Sequence, residues 1–232
     1  MKKGKIVIIL LIIILIAFTI MILRNLLIFN SLYKKLSHYK NQDNYYIHSI
    51  YYQGESTTEF LNYKKDNTNL LITYINTHEF NATIKDYKKN DVITEYITHR
   101  TNDNLTKQVR MNSELDMSLK VIDYLDNLTF AEKCKNAILF WIKSEKYNGK
   151  EVYRLSSKNF KNILEYNQGV EEFLVDKETG LVIYIDMGVR EKQNQYGEIE
   201  YSNDFVEYNY VFEKVTDEDM IEPEISEYEV IE

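Results

Sequence analysis

Cysteine, proline and glycine are scarce in this chain, which has one cysteine, one proline and seven glycines among 232 residues. The single Cys134 excludes a disulfide framework and any metal site made of several cysteines. With so few glycines the chain offers little for a phosphate-binding loop, and neither a dinucleotide fingerprint nor a nucleophile elbow occurs. The sequence therefore predicts no cofactor, and we expect the protein not to be an enzyme.

Histidine is also scarce, and its spacing does not predict a metal site. His78 is followed by glutamate, as in the zinc-binding motif H-E-x-x-H, but Ala82 occupies the position of the second histidine. The remaining histidines, His38, His48 and His99, have no ligand partner close in sequence. We predict ordinary strand or loop histidines, while an enzyme site assembled only in space stays open as an alternative.

Charge is distributed unevenly along the chain. Residues 1–40 carry seven basic groups and no acidic one, which gives +7. Residues 213–232 carry nine acidic groups against one lysine, which gives −8. Since the whole chain is −8, the middle is −7. A predominantly acidic chain does not suit nucleic-acid binding, which requires clustered lysine and arginine, so nucleic acid is excluded as the main partner.

One long hydrophobic run stands out near the N-terminus. It extends unbroken from Ile6 to Leu23, with Thr19 as its only hydroxyl. Eighteen helical residues span about 27 Å, close to the ~30 Å hydrocarbon core of a bilayer. Arg24 and Asn25 interrupt the run, and apolar residues continue from Leu26 to Phe29. We predict a membrane anchor over residues 1–29 that contacts the membrane from Ile6 to Phe29, followed by a juxtamembrane stalk over residues 30–42.

Two other interpretations of this run fit less well. A secretory signal peptide has a shorter apolar region and a small-residue cleavage site, which are not found here. A helix that is apolar on every face either spans a membrane or lies in the core of a large protein, and we do not expect a buried core helix in a chain of 232 residues. The lysines before the run favour a cytoplasmic N-terminus, although basic residues also follow it. We expect a single-pass protein of the cell membrane whose C-terminal domain is extracytoplasmic.

After Asp43 the apolar period changes from helical to two, which predicts strands. A meander of six strands is expected up to Met111. Asn148-Gly149 predicts a hairpin, because both residues tolerate positive φ. Residues 176–180 predict a second hairpin, and a long strand follows over residues 198–214.

Helical spacing interrupts the strands midway. Apolar residues recur with helical period over residues 113–128, and a second helix is predicted to begin near Thr129. A strand is then expected from Ala137 to Tyr147, with Trp141, the only tryptophan, in the core. The fold class is α+β: an N-terminal transmembrane helix, then a curved antiparallel β-sheet, a half-barrel of about ten strands with one or two inserted helices on its concave face. We expect this domain over residues 43–216 and an acidic C-terminal tail over residues 217–232.

Three segments resemble the half-barrel superfamily of the LolA and LolB lipoprotein carriers and the RseB stress sensor. Lys146–Tyr153 resembles the hairpin that opens the C-terminal half of those domains, and Phe173–Leu181 resembles their strand-turn-strand element. Tyr210–Asp219 is similar to the final strand and exit of Gram-positive members. The resemblance is one of element order and turns. It implies a membrane-anchored Gram-positive member of this superfamily, with a concave apolar surface that holds acyl chains or a lipidated partner.

The first functional hypothesis is therefore an extracytoplasmic binding protein that holds a lipid or lipoprotein acyl group in an apolar cleft between sheet and helix. The predicted lining residues are Leu119, Ile122, Leu125, Phe140, Ile142, Phe173, Ile183, Ile185, Tyr208 and Tyr210. The alternative is a cell-surface sensor or regulator that binds a protein partner, without enzymatic activity. A filled interior would argue against the first hypothesis, and a free acyl-sized cavity would argue for it.

Overall fold

The structure is a computed structural model that describes residues 2–39, 42–77, 79–90, 92–101, 104–111, 129–156, 172–193 and 199–231. These residues form two α-helices, α1 Lys2–Tyr39 and α2 Phe130–Leu139. The strands are β1 Asn44–Gln53, β2 Ser56–Lys65, β3 Thr68–Asn76, β4 Asn81–Lys89, β5 Val92–Arg100, β6 Leu105–Met111, β7 Trp141–Tyr147, β8 Lys150–Ser156, β9 Glu172–Asp176, β10 Val182–Gln193, β11 Ile199–Phe212 and β12 Glu229–Ile231. Two short 3₁₀ turns, Glu218–Met220 and Ile225–Glu227, precede β12.

The twelve strands form one sheet in the order β12-β6-β5-β4-β3-β2-β1-β11-β10-β9-β8-β7. All neighbours pair antiparallel except β12, which pairs parallel with β6. We call β1–β6 the N-terminal wing and β7–β11 the C-terminal wing. Strand β1 joins them, because it pairs with β2 on one side and with β11 on the other. The predicted α+β class and the N-terminal meander are confirmed, with twelve described strands where about ten were expected.

The predicted hairpin at Asn148-Gly149 is present between β7 and β8. Both residues have positive φ, 47° and 80°. That conformation suits the twist of a two-residue hairpin, and asparagine and glycine adopt it at low cost. The local signal is therefore sufficient to fix this turn.

The C-terminal wing is packed against the second half of α1. Three apolar residues of this helix, Phe29, Leu32 and Leu36, are buried. The buried members of the first core cluster are Phe29, Leu32, Leu36, Ala137, Ile142, Leu155, Phe173, Val175, Leu181, Val182, Ile185 and Val206. The segment predicted as a stalk thus continues the helix to Tyr39 and contributes to the core.

The N-terminal wing is covered by the segment that follows β11. This segment packs on the face of the sheet opposite to the one that contacts α1. Its cluster includes Val215 and Met220 from that segment, together with Tyr46 of β1. Tyr51, also on β1, contacts the first cluster instead. Side chains an odd number of residues apart on a strand point to opposite faces. The helix and the C-terminal segment therefore cover opposite faces of one sheet.

Two local predictions near α2 are corrected by the structure. The helix does begin after Thr129, whose side chain and that of Glu132 form a reciprocal capping box. However, it continues to Leu139, so the predicted strand from Ala137 was wrong in its first residues. Trp141 is 60% exposed and does not lie in the core as expected. It is the first residue of β7, at the edge of the described sheet.

Candidate binding surfaces

The predicted acyl-binding residues are largely brought together by the fold. Leu119, Ile122 and Leu125 lie outside the described residues. Ile183 belongs to a small cluster around β8–β10. The other six contact the first core cluster or belong to it: Phe140, Ile142, Phe173, Ile185, Tyr208 and Tyr210. These six residues are grouped on the face of the C-terminal wing that packs against α1, and their surroundings are those of a packed core.

The space beside these residues is occupied by α1. The ring of Phe29 lies 6.2 Å from that of Phe140, which lies 6.2 Å from that of Phe173. These separations are typical of packed aromatic pairs. Leu32 and Leu36 are 1% and 3% exposed in the same cluster. At the described residues, side chains of α1 fill the position that was predicted for an acyl group.

This role of α1 was missed by the sequence interpretation, although a signal exists. Beyond the apolar run, Phe29, Leu32 and Leu36 recur at spacings of three and four residues, while Lys34 and Lys35 lie on other faces. That pattern is typical of an amphipathic helix packed on a core. The preceding run masks it, because a helix that is apolar on every face has no stripe of its own.

Asn25 connects α1 to the end of α2. Its side chain is 1% exposed, and Nδ2 donates hydrogen bonds to the carbonyl oxygens of Ala137 and Phe140, at 2.9 and 3.0 Å. Carbonyl groups in the last turn of a helix have no partner within the helix. Asn25 supplies one, so the polar residue that interrupts the apolar run holds α2 against α1.

A second connection is formed by the turn between β9 and β10. Gly180 has φ of 77°, and a Cβ at this position would lie 2.6 Å from the carbonyl oxygen of Leu32. Lys35 Nζ donates to the carbonyl oxygen of Lys177 in the same turn. The turn therefore approaches the backbone of α1 so closely that only glycine fits without a shift.

The other face of the C-terminal wing carries an open groove of about 290 Å³. We call it the sheet groove. It is lined by His48, Ile50, Tyr147, Asn148, Lys150, Ile183, Glu207, Tyr208 and Asn209. Only Ile183 and Tyr208 were among the predicted site residues. His48 and Asn209 are cross-strand partners on β1 and β11, and the β7–β8 hairpin forms the opposite wall.

Polar side chains in and beside the sheet groove are held in defined positions. Tyr147 Oη donates to Glu207 Oε1 at 2.7 Å. Burial, with this hydrogen bond and the Glu207 charge, raises the pKa of Tyr147 to about 12. His48 Nε2 lies 2.6 Å from Glu59 Oε1. The groove thus combines a fixed carboxylate and phenol with side-chain amides and a few apolar groups, which suits a ligand with many hydrogen-bonding groups.

A third feature is a pair of buried carboxylates in the N-terminal wing. Asp86 and Glu95 are cross-strand partners on β4 and β5, and they are 2% and 6% exposed. Burial, and then the charge of Glu95, raises the pKa of Asp86 to about 6. Arg110 Nη1 lies 2.9 Å from Glu95 Oε2 and neutralises one of the two. This arrangement favours a protonated Asp86 in mildly acidic conditions.

Metal binding receives no support from the described part of the chain. Within it, no three histidine, cysteine, aspartate or glutamate side chains are grouped so that they could hold an ion. His78 lies outside the described residues.

The N-terminal helix is long and apolar enough, from Lys5 to Tyr39, to cross a membrane. Its most apolar window is not buried in the protein. Length and composition therefore support a membrane anchor.

Comparisons with known proteins do not place the chain in a family. No protein-family model matches it, and a search of curated proteins finds no significant relative. The resemblance to the LolA, LolB and RseB superfamily consequently stays a prediction based on element order and turns.

Proposed function

We propose that this protein is a single-pass membrane protein whose extracytoplasmic domain binds a protein partner through the sheet groove, as a sensor or regulator without enzymatic activity. The observation that carries the proposal is the position of α1. Because Phe29, Leu32 and Leu36 fill the interior of the C-terminal wing, the face that the described residues leave open is the one that carries the groove.

The continuous helix supports a sensor or regulator. α1 runs without a break from the apolar span into the core of the domain, and Asn25 and the turn at Gly180 fix it there. A partner bound to β1 and β11 contacts strands whose other face packs on α1. Binding would therefore act on the anchor through packed side chains, without a flexible linker.

The groove itself suits an extended polypeptide segment. Asn148 and Asn209 present side-chain amides, which donate and accept hydrogen bonds. Ile50 and Ile183 offer small apolar contacts between them. The volume of about 290 Å³ is at the lower end of ligand pockets, so we expect a few side chains of a partner to enter it.

A photo-crosslinking amino acid at Asn209 in the full chain, expressed in its membrane, tests this proposal. Asn209 is exposed and lines the groove. Asn203 is the matched control, since it is exposed on the same strand and the same face, six residues away. We expect one recurrent crosslinked protein from position 209 that is absent from position 203.

Binding of that protein, once identified, should also depend on the groove. Glu207→Lys removes the acceptor for Tyr147 and reverses the charge of the wall, so we expect about a tenfold loss of affinity. Identical crosslinks from both positions, or an unchanged affinity for Glu207→Lys, would refute the proposed site.

A lipid or lipoprotein acyl group is the second candidate ligand, and a separate cleft favours it. An open space of about 430 Å³ lies between α1 and the β7–β8 hairpin, where Arg24, Leu27 and Ile28 face Ser144 and Tyr153. A cation beside apolar groups at the end of the membrane span suits an anionic headgroup and its chain. Native mass spectrometry of the full chain tests this, with Arg24→Glu as the comparison. A stoichiometric lipid lost in that variant would support the second candidate.

We also propose that the sheet curls into a half-barrel, as the resemblance to the lipoprotein carriers implies. Twelve twisted strands do not form a flat sheet. An experimental structure tests the curvature directly, and a sheet whose two wings diverge without enclosing a common concave face would exclude it.

A further inference from the structure

The folded domain begins on α1 before the apolar span ends. Side chains from Ile6 to Ile20 are exposed, whereas Ile22 and Leu26 contact the first core cluster. The exposed stretch of fifteen residues is about 22 Å long. A bilayer core of ~30 Å therefore extends about 8 Å past Ile20, to the level at which the domain already packs against one side of the helix.

The part of the domain found at this level is the end of α2. Asn25 binds the carbonyl oxygens of Ala137 and Phe140 there. At the other end of α2, Lys133 Nζ lies 4.0 Å from the centre of the Tyr33 ring. Tyr33 is eight residues after Asn25, or about 12 Å farther along α1. The helix α2 thus runs antiparallel to α1 and ends next to the apolar span.

Large apolar side chains are exposed where α2 ends. Trp141 is 60% exposed and Ile138 is 44% exposed. Two cations are also exposed: Arg24 on α1 is adjacent to Asn25, and Lys143 on β7 is two residues after Trp141. Tryptophan is enriched at membrane interfaces, where its ring is in an apolar layer and its N–H reaches water. Basic residues at this depth are attracted to anionic headgroups.

We propose that this membrane-proximal corner, formed by Ile138 and Trp141 with Arg24 and Lys143, lies in the headgroup layer of the bilayer that α1 spans. The domain then rests directly on the phospholipid surface, with no spacer between membrane and sheet. This inference rests on the membrane anchoring in the proposed function. It is independent of the sheet groove and of its ligand.

The single tryptophan of the chain provides the test, because no substitution is needed to place the probe. The full-length protein is reconstituted in nanodiscs of phosphatidylcholine and phosphatidylglycerol, with or without lipids brominated near the carbonyl end of the chain. We expect about a twofold loss of Trp141 fluorescence with the brominated lipid, as for an indole at the interface.

The matched control moves the tryptophan from the position just after α2 to the first residue of α2. Phe130 is 78% exposed at the start of the helix, which is about 15 Å long. In the variant Trp141→Phe with Phe130→Trp, the new tryptophan lies away from the membrane and should keep its fluorescence. Equal quenching at both positions, or none at Trp141, would overturn the proposal.

Two further measurements distinguish failure of the membrane anchor from failure of the proposed contact between α2 and the membrane. Carbonate extraction reports whether α1 is inserted, so a protein that is extracted contradicts the anchor as well as the corner. Ile138→Asp places a charge in the proposed contact and should reduce the quenching of Trp141, while extraction stays unchanged. Quenching that is insensitive to Ile138→Asp would contradict the contact at α2 and leave the anchor intact.

Discussion

The two wings of the sheet are completed by different parts of the chain, and this gives them different weaknesses. The C-terminal wing is covered by α1, a helix that enters the domain from the apolar span. The N-terminal wing is covered on the opposite face by the segment after β11, which contributes Val215 and Met220. The first wing therefore depends on the anchor, and the second depends on the C-terminal segment.

The interiors differ as well. In the C-terminal wing, apolar positions such as Leu155 are completely buried, and the buried carboxylate of Asp204 accepts a hydrogen bond from Ser202. In the N-terminal wing, the polar residues Asn62 and Asp86 are buried, with exposed fractions of 0% and 2%. Buried polar groups make stability sensitive to protonation and to hydrogen bonding. We therefore expect the C-terminal wing to respond mainly to changes of volume, while the stability of the N-terminal wing also depends on the protonation of Asp86, whose pKa is raised by burial to about 6.

Removal of α1 should have the largest effect on this comparison. A chain that begins at residue 42 lacks Phe29, Leu32 and Leu36 and exposes the apolar face of the C-terminal wing. We expect it to lose cooperative unfolding, because burying each such side chain contributes about 2 kcal/mol. Thermal unfolding followed by near-ultraviolet circular dichroism measures this.

The matched control keeps the packed half of the helix. A chain that begins at residue 21 retains every α1 residue of the first cluster and loses only exposed positions of the apolar run. It should unfold cooperatively in detergent. If both truncated chains unfold at the same temperature, the second half of α1 is not part of the core.

Leu32→Ala should have the next largest effect, through a cavity between α1 and the sheet. Leu32 is 1% exposed and lies against the turn that contains Gly180. A fully buried leucine truncated to alanine costs about 3 kcal/mol of unfolding free energy. Denaturant unfolding in detergent checks this value.

Leu27→Ala removes the same atoms from the exposed side of the helix and is the control, since Leu27 is 72% exposed. We expect a change of less than about 0.5 kcal/mol in unfolding free energy. A similar loss for both variants would mean that detergent contacts, and not the domain core, determine the effect.

The packing of α1 shows which features of the fold could be predicted from the sequence and which could not. Local signals were sufficient for the meander, for the Asn148-Gly149 turn and for the start of α2 at Thr129. They were not sufficient for the contact of Asn25 with Phe140, because 115 residues separate the two. A pattern of local hydrophobicity predicts that a helix is apolar, but it does not state whether lipid or protein surrounds it.

Trp141 and the C-terminal segment illustrate the same limit. Trp141 lies in an apolar run, which predicts burial, but it begins an edge strand beside α1, where no described strand covers it. The acidic tail contains few apolar residues, yet Met220 is buried and β12 pairs with β6. Three residues of parallel pairing leave no periodic signal. In both cases, burial and strand pairing depend on residues that are distant in sequence, so the local sequence pattern does not predict them.

Asp86→Asn tests the polar interior of the N-terminal wing. The folded-state pKa of Asp86, about 6, is above the ordinary value of 3.8. The folded state therefore binds a proton at Asp86 that the unfolded state releases, and the contribution of Asp86 to stability decreases as pH rises from about 4 to above 6. Asparagine does not titrate, so at pH 7 the variant should be more stable by about 2 kcal/mol. Near pH 4 this difference should disappear.

The measurement is the pH dependence of denaturant unfolding for both proteins between pH 4 and pH 7.5. Glu178→Gln is the control, because it removes an acidic charge from an exposed turn of the C-terminal wing. It should leave the slope of stability against pH unchanged. A wild-type stability that increases from pH 4 to pH 7, with Asp86→Asn showing the same increase, would contradict a raised pKa at Asp86.

Tyr96→Phe should have the smallest effect and tests how the C-terminal segment is held. Tyr96 is 1% exposed, its Oη donates to Glu222 Oε1 at 2.9 Å, and its ring lies 5.1 Å from that of Tyr228. The variant keeps the ring contact and removes the hydrogen bond, so we expect a loss of about 1 kcal/mol. Hydrogen exchange should accelerate at β12 and in the 3₁₀ turn Glu218–Met220, while the strands of the C-terminal wing keep their protection. Tyr201→Phe removes an exposed hydroxyl from β11 and should change neither quantity. Faster exchange in both wings would mean that the C-terminal segment and α1 stabilise one cooperative unit, and the separation of the two wings would then be wrong.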